Sequence, residues 1–189
     1  MVSADLRWSL ALVADPIAAT TACADVVAQV QRHAGARVVV LDPRGRWADR
    51  AHVDADSGAG LAALQAPEDI AAALDALGAH IDARRRAQAD GRAVPPLLVV
   101  FDAVADLVRV VPDALTRGGA AHALGMGSAG DVASVAVYEG WGDAEAAHRL
   151  YPQMMAGRLP DGQWQAATGL GAADAVRPQA PGAWAVRER

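Results

Sequence analysis

Residues 10–27, LALVADPIAATTACADVV, open as an apolar run and close as a helix. Phosphate-binding α/β domains use this succession to bring a glycine-rich loop and a lysine to a phosphate. In that position stands Ala14-Asp15-Pro16-Ile17-Ala18-Ala19-Thr20-Thr21, which keeps two hydroxyls and has neither glycine nor lysine. A second candidate is Asp102, which closes the apolar run LLVVF at 97–101, where a carboxylate can serve metal–phosphate chemistry. Thr20, Thr21 and Asp102 are therefore the candidate nucleotide-site residues. Other chemistries find less support. His33, His52, His80, His122 and His148 show no metal-ligand spacing. Ser128 and Ser134 sit in no nucleophile elbow and have no paired base. Cys23 reads as a small buried hydrophobe on a helix.

Composition narrows the classes further. A chain of 189 residues is long enough to bury a proper core and is expected to form one domain over 1–189. It is 53% hydrophobic, yet no apolar run reaches the roughly 18–20 residues of a membrane helix. The N-terminus shows no basic region leading into an apolar stretch, and one cysteine allows no internal disulfide, so a reducing cytoplasm is expected. All 17 basic residues are arginine, so no lysine of this chain can meet a phosphate. A net charge of −5 argues against direct binding to DNA.

The elements that would position these residues alternate. WSLALVA at 8–14 reads as a strand ending in Asp-Pro, and 21–35 as a helix burying Ala22, Val26, Val27 and Val30 and stopping at Gly35. ARVVVLDP at 36–43 is a β-branched run suited to a parallel strand covered on both faces. Residues 44–66 read as a loop with a short edge strand. Residues 66–91 form the clearest helix, with Pro67 in its first turn and a stripe of Ile70, Leu74, Leu77 and Ile81. Its basic end, Arg84, Arg85 and Arg86, suits a solvated terminus facing the helix dipole. Strands follow at 95–103, 131–140, 162–169 and 182–189, with a helical element after 103 and an interrupted helix over 142–157. Strands 8–14, 36–42, 97–102 and 131–138 are expected to form a parallel core. Trp8, Trp47, Trp141, Trp164 and Trp184 read mostly as core or edge fillers, although Trp47 and Trp141 fall in loops at strand ends, where one of them can mark a contact surface.

LALVAD…TT, VVVLDPRG, DARRRAQADGR, PPLLVVFDAVADLV, GSAGDVASVAVYEG and TGLGAADAVRPQAPGAWAVRER follow one another in a meaningful order. Across nearly its full length the chain resembles the RecA-like motor domain of FtsK/SpoIIIE-type ATPases, which include DNA translocases, conjugation proteins and type VII secretion ATPases. LDPRG is similar to that family's second-strand DP(K/R)G, and RPQAPGAWAVRER to its closing segment. The resemblance implies a three-layer α/β RecA-like P-loop NTPase fold with a mostly parallel central sheet. It also implies that Asp102 and Thr21 approach each other at the carboxyl edge of the sheet.

Laid on G-x-x-x-x-G-K-[ST], the first loop gives Ala14 and Ala19 for the glycines, Thr20 for the lysine and Thr21 for the metal-binding hydroxyl. Asp15 adds a negative charge and Pro16 removes a donor. After Asp102 the family carries a glutamate that activates water, and this chain has Ala103. The family's arginine before the fourth strand reads as Gly127, and its closing Thr-Gln as Val137-Tyr138 or Tyr138-Glu139. Asp106, a turn beyond Asp102, reads as an exposed or capping residue. Four losses in one chemistry point to a catalytically degenerate domain, with no cofactor expected. Such a domain would act as an interaction or regulatory module docking to an active FtsK-like motor, another protein or its own copies. The alternative is a divergent ATPase that uses ATP and Mg only within an assembly.

Overall fold

Apolar runs without polar alternation need cover on both faces, and the helices between them supply it. The computed structural model describes residues 10–53, 60–116, 132–140, 154–158 and 164–168. Among them, β1 (Leu10–Val13), β2 (Arg37–Leu41), β3 (His52–Val53), β4 (Gly60–Leu64), β5 (Leu97–Phe101), β6 (Val132–Tyr138), β7 (Met154–Arg158) and β8 (Trp164–Thr168) form one sheet. Its order is β3-β4-β2-β5-β6-β1-β7-β8. The strands from β4 to β7 in that order run parallel, and β3 and β8 add antiparallel edges. The expected parallel core of the first, second, fifth and sixth strands is present. One strand, β6, separates β1 from the strand that ends at Asp102, which is a RecA-like arrangement.

Alternation along each strand divides the core into two layers. Leu12, Val40, Val100 and Val137 face α1 (Pro16–Ala34), whose Cys23, Val26, Val27 and Val30 pack on them. Val13, Leu41, Phe101 and Ala136 face the other way, toward α2 (Pro67–Ala89), α3 (Val104–Val110) and α4 (Pro112–Thr116). The stripe Ile70, Leu74, Leu77 and Ile81 is buried as expected. The result is a three-layer α/β fold with a mostly parallel sheet. No helix among the described residues is long and apolar enough to cross a membrane.

The structure corrects four expectations. Helix α1 begins at Pro16, well before residue 21, because Asp15 is its N-cap and Pro16 its first residue. The Asp15 carboxylate accepts the Ala18 N–H at 3.0 Å. At the far end Gly35 takes φ +58° and donates its N–H to Gln31. Met154–Arg158, expected at the end of a helix, is instead β7, since pairing beside β1 outweighs local propensity. Residues 142–153 and the strand expected at 182–189 lie outside the described residues. Gly60–Leu64 is a parallel neighbour of β2 with only β3 beyond it, so 44–66 carries more sheet than expected. Arg84 is buried, its guanidinium donating to the Pro95 carbonyl, while Arg85 and Arg86 stay exposed. Its aliphatic stem continues the apolar stripe one turn past Ile81.

Asp15→Ala removes the α1 cap and leaves the Ala18 amide without its acceptor. The expected loss is about 1 kcal/mol, read from the denaturant midpoint.

Candidate functional site

In parallel α/β sheets, ligand sites collect beyond the carboxyl ends of the strands. Leu41 pairs with Phe101 and Phe101 with Ala136, so these strands end side by side. Asp42 and Asp102 follow β2 and β5, and alternation turns both toward the α1 layer. The sheet ladder continues through them, Asp42 N–H to Leu64 and Asp102 N–H to Leu41. Both side chains are fully buried. Glu139 follows β6 on the same alternation, its side chain only 8% exposed.

The segment after β2 turns tightly. Gly45, at φ +71°, donates its N–H to the Asp42 carbonyl, a left-handed conformation that glycine adopts without strain. The Asp42 carboxylate then accepts the Trp47 backbone N–H at 2.8 Å. This returns Trp47 to the core on the α1 side, with the Arg50 guanidinium 5.2 Å from its ring centroid. Trp47 is therefore a core residue, the first of its two expected readings, and presents no contact surface. The other loop tryptophan, Trp141, lies outside the described residues, as do Trp8 and Trp184.

Between Asp42 and Trp47, two arginines cross the carboxyl edge. Arg44 pairs through Nε with Asp106 on α3 and through Nη1 with Glu139. Arg46 pairs through Nη2 with the other Glu139 oxygen, and its Nη1 donates to Thr20 Oγ1 at 2.9 Å. Asp106 also takes Arg109 at 3.0 Å, so it is a partly buried ion-pair member and not a free surface acid. Charge-assisted pairs of this kind, with one carboxylate gripped by two guanidinium groups, are the strong members of their class.

Asp102 has a different environment. Among the described residues, neither of its carboxyl oxygens has a partner at full hydrogen-bond geometry, and the same holds for Asp42 Oδ1 and for the Trp47 indole nitrogen, the donor that stands beside Asp102. Burial pushes its carboxyl above the usual range. The charge of Arg46 and the nearby indole N–H pull it back, while Asp42 and Glu139 add to the rise. Cys23, facing the same layer from α1, has its thiol pushed far up by burial and, to a smaller extent, by Asp102.

The sequence-derived candidates thus take three different positions. Thr20 and Asp102 both stand within reach of Arg46, one through a hydrogen bond and one through charge. The Thr21 hydroxyl donates to the Ile17 carbonyl at 2.8 Å and stands exposed on its own helix. Ala103, directly after Asp102, is buried in a left-handed conformation at φ +52° and carries no acid. Gly127 and Ser128 lie outside the described residues. The chemically richest side chains are Arg44, Arg46 and Glu139; the two arginines have no site role in the sequence reading, and Glu139 stands there only in one register of the family's closing Thr-Gln. Their signals were an arginine on each side of Gly45 after a strand end, and an acid one residue past another strand end.

What the edge can do follows from its charges. A helix N-terminus attracts anions, but the first turn of α1 already holds the carboxylate of Asp15. Among the described residues, no group of His, Cys, Asp and Glu is arranged to hold a metal ion. No family model matches the chain, and no curated protein is significantly similar to it.

Proposed function

We propose that the chain is a non-hydrolysing RecA-like domain, resembling the FtsK/SpoIIIE-type motors in the order of its motifs. In this reading it serves a DNA-translocation or secretion motor as an interaction or regulatory module. Its partner is an active motor of that kind, another protein or a second copy. One observation supports the reading above the rest: only two residues separate β1 from α1, and the Asp15 carboxylate occupies the helix N-terminus at which a phosphate loop would end. An incoming phosphate would meet an anion where it needs amides and a cation.

Hydrolysis is disfavoured separately. The chain contains no lysine, and Ala103 offers no base beside Asp102. Removing one preorganised donor costs about 10²–10³ in rate at comparable sites, and several are missing here. Losses within one machinery need not multiply, but little catalysis would remain. RecA-like domains associate side by side, so a copy that does not hydrolyse can still hold a place beside an active one.

Calorimetric titration with ATP and ADP, with and without Mg²⁺, together with a phosphate-release assay, tests the reading. The expected result is no binding at millimolar nucleotide and no turnover. A micromolar Kd, or turnover that disappears in Asp102→Ala, would overturn it in favour of a divergent ATPase.

A further inference from the structure

We propose that the Arg46 guanidinium is a built-in cation that closes the carboxyl edge over Asp102. Held on α1 by Thr20 and beyond β6 by Glu139, it shuts the buried carboxyl off from anything arriving at that edge. The inference deepens the reading above: the edge lacks a phosphate loop, and it is also locked from within.

Two observations carry it. First, among the described residues Asp102 has no donor at full hydrogen-bond geometry, which is costly for a buried carboxyl unless an opposite charge stands near. Phe101 pairs with Ala136, so Glu139 lies just beyond the level of Asp102 on the neighbouring strand, and Arg46, bonded there, is the cation that acts on it. Second, Arg46 is fixed from several sides. Its two terminal nitrogens reach Thr20 and Glu139, which belong to different elements. Arg44 takes the second oxygen of Glu139 and reaches on to Asp106, so the strap runs from α1 to α3. A planar fork can join two acceptors while leaving its charge facing a third group. A lysine ammonium, a single point on a flexible stem, cannot hold that geometry.

Carboxyl labelling tests closure directly. Wild type, Arg46→Ala and Arg46→Lys are treated in the folded state with a carbodiimide and glycine ethyl ester, and Asp102 is followed by peptide mass spectrometry. Asp102 is expected to be unlabelled in wild type, labelled in Arg46→Ala and intermediate in Arg46→Lys. Millimolar methylguanidinium should suppress the labelling of Arg46→Ala. The Tm lost in Arg46→Ala should also shrink when Asp102→Asn is present, because the charge needing cover is then gone. Should Arg46→Ala not fold, Glu139→Gln removes one anchor of the strap and should give weaker labelling in the same sense. Full protection of Asp102 in the folded variants, labelling indifferent to methylguanidinium, or a Tm loss identical with and without Asp102→Asn would each overturn the inference. Nucleotide binding by wild type would strike the proposed function alone, whereas these outcomes strike the strap alone.

Discussion

Trp47→Ala is expected to destabilise the fold by about 3–5 kcal/mol, the range for truncating a large buried aromatic side chain. Trp47 is 1% exposed and heads the largest fully buried side chains among the described residues. It packs in the layer between α1 and the sheet, where Val26, Val40 and Val100 are also buried. Its removal leaves a cavity that the surrounding strands cannot easily collapse into, because their positions are fixed by pairing on both sides. The Asp42 carboxylate would keep its bond to the backbone N–H, so the turn survives while its anchor is lost. Denaturant midpoints read the energy. Cys23 supplies a second readout: its buried thiol should react with an aromatic disulfide only through unfolding in wild type, and faster in the variant. Equal stability and equal thiol protection would mean that the indole is not part of the core.

Asp102→Asn is expected to act in the opposite direction, raising stability at neutral pH, because it removes a charge that burial and the neighbouring Asp42 and Glu139 disfavour. The substitution keeps the shape and removes the charge that burial penalises. The sign with pH follows from the raised carboxyl. Below the unfolded carboxylate value, about 3.9, Asp102 is protonated in both states and carries no penalty. As pH rises the unfolded chain ionises first, and wild type loses stability until the folded carboxyl has ionised too. The two melting curves should therefore converge in acid and separate toward neutrality, with the Asn variant above. An Asn variant less stable at pH 7, or a gap independent of pH, would mean that Asp102 is favourably paired.

The parts of this fold legible in the sequence are those set by short-range pattern. The β-branched run before Asp42 and the stripe at 70, 74, 77 and 81 specify their burial almost alone, since period two and period 3.6 each admit one core face. Asp15-Pro16 carries the signature of a helix start, yet the expected helix began at residue 21. Measured against a phosphate loop, the pair read as a damaged site, while its local chemistry is that of an N-cap. Met154–Arg158 was not legible, because its strand state depends on β1, far away in sequence. The candidate site was half legible. Thr20 and Asp102 could be named from their places after β1 and at the end of β5. Their connection through Arg46 depends on a turn at Gly45 that swings a side chain across two strands, and no spacing in the sequence encodes that reach.

The position of β1 in the sheet has a consequence for the order in which the fold can be made. β2, β4 and β5 can assemble as soon as residues 37–101 exist. Leu10, emerging first, must wait for Val135 on one side and Met154 on the other. Closing so long a loop delays the step, because its entropy is lost before the contacts form. Until β6 has been made, then, the apolar segment Leu10–Val13 has no strand to join. A chain interrupted before β6 would present it, unpaired on either side, to other chains in the same condition.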